Sequence, residues 1–413
     1  MTRTRHVWGT PPWTIDFRPA RRPLPAHVDF AIIGAGFTGL SAAASLARLA
    51  PGKSVLVLES ASLGNGASGR TGGMALAETA AGPLPGLGDV LADYKKILRN
   101  LNIDSRLHLP GAYELGRSNT LKNSPISWSD SGDLRIVRKV PGGTVDPGKV
   151  VSGLARAAQK AGAQIIEHAE VLSVDFQNPP RIHVRVKSRG RAQQKIIHAN
   201  RILLATNAAS LELTDLHRVA DPLLTFAVAT APLTAAQRKA LGLADRRPFY
   251  TTDFPYLWGR LMENNAAIFG AGIVGVEGAG SSTAAKPVRA FLARVPANAT
   301  SSARHKSHQN DANPLAAVNI HKKGPAADRL EVLEHRVRSL HPALKSIRIT
   351  HRWGGPILFT EKMRPIFRHH PSSNSVLVLA GFNGHGVALS VYLGHWAAQS
   401  LLGQRPLPNW PRT

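Results

Sequence analysis

The sequence predicts an α/β fold with two structural domains, and three observations carry that prediction. A short apolar strand, a glycine-rich turn and a helix of small residues lie near the start of the chain. Strand-like segments, one with clear alternation of apolar and charged residues, fill its middle. An apolar strand, a second glycine-rich loop and an apolar helix come near its end. With 413 residues there is enough chain for two domains and a large buried core.

Met1 to Pro25 is basic and proline-rich and has no apolar core of signal-peptide length, so residues 1–27 read as an extension before the first strand. Val28 to Ile33 is a buried strand, Thr38 to Ala50 a helix stopped by Pro51-Gly52, and Ser54 to Leu58 a second buried strand ending at Glu59. Residues 80–145 are mixed in pattern. Asp146-Pro147 then starts a helix that keeps Val150, Val151, Leu154 and Ala158 on one face until Gly162 caps it. Strands are expected at Gln164 to Glu167, Glu170 to Phe176, Arg181 to Lys187 and Ile202 to Ala205, and a second sheet with a helix or two over 211–275. Residues 278–325 lack apolar periodicity and read as a long surface excursion. A helix over Asp328 to His341, a strand over Val376 to Ala380 and a helix from Val387 to Leu402 complete the chain.

A hydrophobic fraction of 43% suits a folded soluble protein rather than a disordered one. The absence of cysteine excludes disulfides, thiolate metal sites and cysteine-linked cofactors. The apolar stretch Phe30 to Leu49 is broken by Gly34, Gly36 and Gly39, which argues against a membrane span, and a cytoplasmic location is expected. Lys and Arg outnumber Asp and Glu by 51 to 26, for a formal charge of +25. Without a nucleic-acid-binding motif this charge reads first as a basic surface, and no nucleic-acid partner is expected. The 17 histidines form no metal-binding spacing, and no metal is expected.

The strongest local signal is Gly34-Ala35-Gly36-Phe37-Thr38-Gly39 between a strand and a helix, with Glu59 twenty positions after Gly39 at the end of the next strand. Gly34 permits the tight turn, Gly36 lets backbone approach a pyrophosphate, and Gly39 lets helix and strand pack closely. The helix N-terminus offers N–H groups to phosphates, and Glu59 accepts from ribose hydroxyls while repelling a 2′-phosphate. This Rossmann-type unit alone does not separate FAD from NAD. Gly64 to Gly73, with five glycines in ten positions, indicates backbone pressed against a large flat ligand, with Ser68, Arg70 and Thr71 as candidate donors.

Together these stretches resemble the FAD-dependent oxidoreductases of the D-amino-acid-oxidase-like superfamily, in particular the branch with glycine and sarcosine oxidases and gamma-glutamylputrescine oxidase. The resemblance rests on the Gly34–Gly39 loop with Glu59, on Ala67-Ser68-Gly69-Arg70-Thr71-Gly72-Gly73, on Val171, on Ala205-Thr206-Asn207-Ala208 and on Gly381-Phe382-Asn383-Gly384-His385-Gly386-Val387, and spans roughly residues 28–402. Arg352-Trp353-Gly354-Gly355 resembles the strand that passes near the flavin in relatives. It implies cofactor contacts from these motifs, with Phe37, Thr38, Ser60, Met74 and Gly355 beside them. It further implies a discontinuous FAD domain over 28–78, 145–210 and 356–413, and an antiparallel-sheet substrate domain over 79–144 and 211–355. Arg70 stands where histidine-linked relatives carry the linking residue, so a non-covalent FAD is expected. Lys362 replaces an aspartate usual in the family.

The implied activity is oxidation of the C–N bond of a small amine or amino acid, with oxygen or another acceptor regenerating the flavin. The alternatives are a 2-hydroxy-acid dehydrogenase and a non-catalytic flavin- or anion-binding protein, because one scaffold hosts many functions. The candidate substrate-side residues are Tyr256 and Trp258 as an aromatic cage, Arg260 as a carboxylate clasp, and His385 facing substrate or flavin.

Overall fold

The computed structural model describes residues 7–188, 191–209, 211–253, 256–275, 315 and 318–410. Most of the surface excursion expected over 278–325 lies outside these residues. The chain opens with β1 (His27–Ile33), α1 (Phe37–Leu49), β2 (Val55–Leu58), β3 (Met74–Leu76) and α2 (Val90–Asn100). It continues through β4 (Ala112–Gly116), β5 (Ser127–Ser129), β6 (Asp133–Val140), β7 (Gly142–Thr144) and α3 (Pro147–Lys160). Then come β8 (Gln164–Ile166), β9 (Ala169–Asp175), β10 (Arg181–Ser188), β11 (Arg191–Leu204) and the short α4 (Leu211–Thr214). The next stretch holds β12 (Ala220–Pro232), α5 (Ala235–Ala240), β13 (Phe249–Thr251), β14 (Trp258–Leu261) and β15 (Ala266–Gly275). The last elements are α6 (Pro325–Ser339), β16 (Ile349–Thr360), β17 (Ile366–His370), β18 (Ser373–Ala380) and α7 (Gly386–Leu401).

Among the described residues, two eight-stranded sheets organise the molecule. In the first, β18, β11, β1, β2 and β8 run parallel in that order, with β17 antiparallel on one edge and β9 and β10 branching from β11. β2 is short and apolar, and β1 and the last residues of β11 are apolar, because both faces are covered there, as parallel sheets require. Helices α1, α3 and α7 pack on one face, and β9 and β10 lie over part of the other. The second sheet follows the order β16-β12-β15-β14-β13-β4-β6-β5 and is antiparallel except for the β4–β13 pair. Helix α6 covers it with Leu330, Leu333 and Val337.

Local chemistry explains the helix ends. The Asp146 side chain accepts from the Lys149 amide at 2.9 Å and Pro147 fills the first turn of α3. Asp89 caps α2 through the Ala92 amide at 2.9 Å. Helix α7 is apolar nearly all round because it is buried nearly all round, and it crosses α1 where Ser41 Oγ donates to the Val391 carbonyl at 2.6 Å.

One boundary differs from expectation. The resemblance places residues 79–144 in the substrate domain, but Leu84, Leu87, Val90, Leu91, Tyr94, Ile97 and Leu98 belong to the core that α1, α3 and α7 share. The amphipathic face of α2 finds its apolar partner on α7 rather than on the second sheet. The N-terminal extension is likewise built in. Trp8 and Trp13 are buried, and the Trp13 indole donates to the Gly69 carbonyl at 2.8 Å. The Gly354 amide of β16 donates to the Trp8 carbonyl at 2.7 Å, so this segment ties the two sheets together.

The second sheet's core centres on Trp128, which is buried edge-on against Phe249 at 4.9 Å and donates its indole N–H to the Leu241 carbonyl at 3.1 Å. Trp128→Ala is expected to cost about 3–5 kcal/mol, read as a lower urea midpoint. A loss under about 1 kcal/mol would contradict this packing account.

Candidate active site

The site is built where the parallel strands end. The Gly34 amide donates to the Leu58 carbonyl at 2.9 Å, the Ala205 amide to the Ile33 carbonyl at 2.9 Å, and the Gly381 amide to the Asn207 side-chain oxygen at 3.0 Å. These bonds gather the loops after β1, β2, β11 and β18 at one edge, where open α/β sheets form ligand crevices. Gly34 turns the chain at φ +105°, a left-handed value that favours glycine. A Cβ on Gly39 would collide with the Gly34 carbonyl oxygen, so the first turn of α1 lies directly against the strand end.

Glu59 faces this junction. One carboxylate oxygen accepts from the Ala35 amide and the other from the Ala61 amide, each at 2.9 Å. Burial pushes its pKa above the usual carboxylate range even though both amides favour the ionised form. A hydroxyl donated by a ligand would offset that desolvation. Ser68 reaches across from the glycine-rich loop and accepts from the Phe37 amide at 2.8 Å, which caps α1 from outside its own sequence.

A cavity of about 910 Å³ runs from this junction to the second sheet. Gly34, Gly36, Phe37, Thr38, Glu59 and Ser60 line its end at the strand junction, together with Val171, Thr206, Asn207 and Ala208. Ala67, Ser68, Arg70, Thr71, Gly72, Met74, Gly355 and the run Phe382 to Val387 line the remainder. Gly39, Gly73 and Gly381 are not among the lining residues and support the backbone behind it.

Several side chains expected at the ligand are committed elsewhere. The Arg70 guanidinium donates to the backbone carbonyls of Asn65 at 3.1 Å, Gly9 at 2.9 Å and Gly354 at 3.2 Å, and lies over the Trp8 ring at 5.5 Å. Burial lowers its pKa to about 10. Its Nε and Nη1 thus clamp the N-terminal segment to β16 instead of reaching for phosphates. Asn383 pins its loop to β16, accepting from the Thr360 amide at 2.8 Å and donating to the Gly381 carbonyl at 2.6 Å.

Among the substrate-side residues, Tyr256, Trp258 and His385 line the cavity and Arg260 does not. Arg260 is buried behind the loop with its Nε donating to the Gly72 carbonyl, so the carboxylate clasp expected of it is corrected to a backbone support. Its position one pleat along β14 from Trp258 carries it past the cavity wall. The Trp258 indole is held in a slot between Gly72 and Gly270, where a Cβ on either would strike the ring. Burial pushes the Tyr256 phenol up to about 12. His385 precedes the first turn of α7 with Nδ1 3.3 Å from the Asn383 carbonyl. A carbonyl only accepts, so this contact places the proton on Nδ1, and burial holds the imidazole below its usual pKa and therefore neutral at pH 7.

The structure also brings in residues that motif reading missed. Trp8, Glu78, Glu114 and Tyr250 line the same cavity, beside Asp253 of the Thr252–Arg260 stretch that the sequence had already brought forward. The Tyr250 hydroxyl donates to Glu114 at 2.6 Å, and Arg138 donates to both oxygens of that carboxylate at 2.8 and 2.9 Å. The signal for Glu114 was available, since it is the charged residue in an otherwise apolar or small run, Ala112 to Gly116.

Thr206 supplies a test of fit for a bound cofactor. Its hydroxyl is buried, lines the cavity and has no hydrogen-bond partner among the described residues, as suits a group awaiting a polar ligand atom. Thr206→Val removes the orphaned hydroxyl at nearly constant shape. It is expected to weaken FAD binding about tenfold, the effect of one hydrogen bond, without lowering the melting point of the apoprotein. FAD titration and apoprotein melting check both signs, and unchanged FAD affinity would refute the assignment.

Comparison with known proteins agrees with this geometry. A family model described as FAD dependent oxidoreductase matches residues 29–400. A probable oxidoreductase, OrdL, of Haemophilus influenzae is 25% identical over 91% of this chain and 83% of its own length. Gamma-glutamylputrescine oxidoreductase of Escherichia coli is 23% identical over 93% of this chain and 87% of its own. Glycine oxidase from Geobacillus kaustophilus shares the fold with a TM-score of 0.63 and 17% identity, covering 94% of this chain and 97% of that one. Cavity, crevice and matched span lead to one conclusion: the chain belongs to the FAD-dependent oxidoreductase family and is an enzyme whose cofactor is FAD.

Proposed function

We propose that this enzyme oxidises the C–N bond of a small amine or amino acid. The observation that carries the reading is the continuity of one cavity from the strand-end crevice to Tyr256, Trp258 and His385, so that cofactor and a small substrate would share a single space. FAD supplies a two-electron acceptor that takes a hydride at N5 and passes the electrons to oxygen or another acceptor. The main-chain amides after β1, with Glu59 and Thr206, would hold the adenine dinucleotide, and the N-terminal end of α7 would favour negative charge on the reduced ring.

In the proposed reaction the substrate arrives as a neutral amine. Its α-carbon loses a hydride, the nitrogen lone pair closes the C=N bond, and water hydrolyses the resulting iminium. No residue needs to abstract the proton, and the neutral His385 is suited to orienting the amine through a ring nitrogen. Trp258 and Tyr256 enclose the organic portion of the substrate and exclude water. The lack of cysteine and the backbone commitment of Arg70 support a flavin held without a covalent bond.

The purified protein is expected to show an oxidised-flavin spectrum, to release FAD into the filtrate on denaturation, and to bleach anaerobically with amines. Bleaching by 2-hydroxy acids but not by amines would replace this reading with a hydroxy-acid dehydrogenase.

The pH profile gives a second check. Because the neutral amine reacts, the rate of flavin reduction at low substrate is expected to rise about tenfold per pH unit below the substrate's own pKa. The depressed pKa of His385 means no inflection near 6.5. A break at that pH, abolished in His385→Gln, would show instead that this imidazole titrates during turnover.

A further inference from the structure

The charge inside the cavity opposes the charge of the chain. Against a formal net charge of +25 overall, the described lining residues include five carboxylates, Glu59, Glu78, Glu114, Glu170 and Asp253, and a single cation, Arg70. Most of these groups are already matched. Glu59 accepts from two main-chain amides, Glu114 from Arg138 and Tyr250, Glu170 from Arg185 at 2.7 Å, and Asp253 from Arg117 at 2.5 Å. Arg70 spends its Nε and Nη1 on carbonyls.

Glu78 is the exception. Its carboxylate makes no hydrogen bond or ion pair among the described residues, yet it lines the cavity and is near enough for Arg138, Tyr250 and His385 to feel its charge. The backbone beside it is held by the Thr79–Gly82 turn, where the Thr79 hydroxyl donates to the Gly82 carbonyl at 2.6 Å. An independent feature points to the same space: the half-buried Tyr256 lines the cavity and its hydroxyl makes no hydrogen bond among the described residues. An unpaired carboxylate and an unpaired hydroxyl, both acceptors, call for a donor-rich cation. With Arg260 turned away, the one guanidinium on the described lining, that of Arg70, already spends Nε and Nη1 on main-chain carbonyls, and no lysine is among the described lining residues.

We propose that the substrate is a diamine or related dication without an α-carboxylate, whose distal ammonium is held by Glu78 and the Tyr256 hydroxyl while its other nitrogen reacts as the neutral amine. This assignment rests on the C–N oxidation reading and narrows its substrate class. Oxidation proceeds as above, with one hydride, which carries both electrons, leaving the carbon beside the neutral nitrogen for the FAD acceptor. The distal ammonium keeps its protons throughout. Glu78 is then a specificity-determining residue.

The test separates binding from turnover by using probes that cannot be oxidised. FAD-loaded enzyme is titrated with 1,4-bis(trimethylammonium)butane, butyltrimethylammonium and adipate, and the flavin absorbance change is followed. The quaternary nitrogens have no lone pair and adipate has no amine, so none of these probes bleaches the flavin. The dication is expected to bind about tenfold more tightly than the monocation and the dianion through the attraction of its distal charge to the Glu78 carboxylate alone, since a quaternary nitrogen has no N–H to donate. Glu78→Gln is expected to erase that preference with the flavin spectrum unchanged, and Glu78→Asp to retain part of it. Tighter binding of adipate, or a Glu78→Gln variant that binds the dication as before, would overturn the proposal. If Glu78 governs dication binding but no diamine bleaches the flavin anaerobically, the oxidation reading fails while the cation site stands.

Discussion

The architecture depends on one close approach, the first turn of α1 lying against the carbonyl of Gly34. A side chain at Gly39 would push the helix off the strand end. The N-terminal amides of α1 would then no longer face the edge where β2, β11 and β18 also finish. Every later feature of the crevice assumes this contact. Glu59 can hold the Ala35 amide only because the turn presents it at 2.9 Å, and Ser68 can cap Phe37 only because the helix begins there. A short-range steric condition thus sets the position of groups far apart in sequence.

Joining the two sheets is a separate problem, which the chain solves with buried polar contacts to the backbone. Arg70 gathers carbonyls from the N-terminal segment, its own loop and β16, at the cost of desolvating a guanidinium. Trp353 adds an indole N–H to the Arg70 carbonyl at 2.9 Å, and Trp13 stands edge-on to it at 5.6 Å. These contacts fix the floor of the cavity relative to β14, so the position of Trp258 in its slot between Gly72 and Gly270 follows from the sheet junction. Side chains that look functional in the sequence, Arg70 and Arg260 among them, serve this rigidity.

Electrostatics inside and outside the enzyme are arranged oppositely. A formal charge of +25 draws anions generally, whereas the cavity is lined on the described residues by Glu78, Glu114, Asp253, Tyr250 and Tyr256. Burial holds His385 neutral and keeps Tyr256 protonated across the physiological range. A neutral, water-poor wall beside a reacting amine favours its uncharged form, while a carboxylate further off can hold a second charge. Among the described residues no helix is long and apolar enough to cross a membrane.

The sequence by itself determined whatever is carried by short-range pattern. The Gly34–Gly39 turn with Glu59, the capped α3, the parallel strands and the closing loop into α7 were all legible, because each is specified by neighbours within a few tens of residues. Only the tertiary structure decided how committed each polar group is. Whether Arg70, Arg260 or Asn383 is available to a ligand depends on carbonyls contributed by Gly9, Gly354, Gly72 and Gly381, and in most cases these lie far away in the chain. The pairing of α2 with α7, and the meeting of Glu78, Glu114, Tyr250 and Tyr256 at one wall, arise the same way. Hydrogen bonds and burial are satisfied in space rather than along the chain, so local pattern names the chemical groups and only packing determines which of them remain available to a substrate.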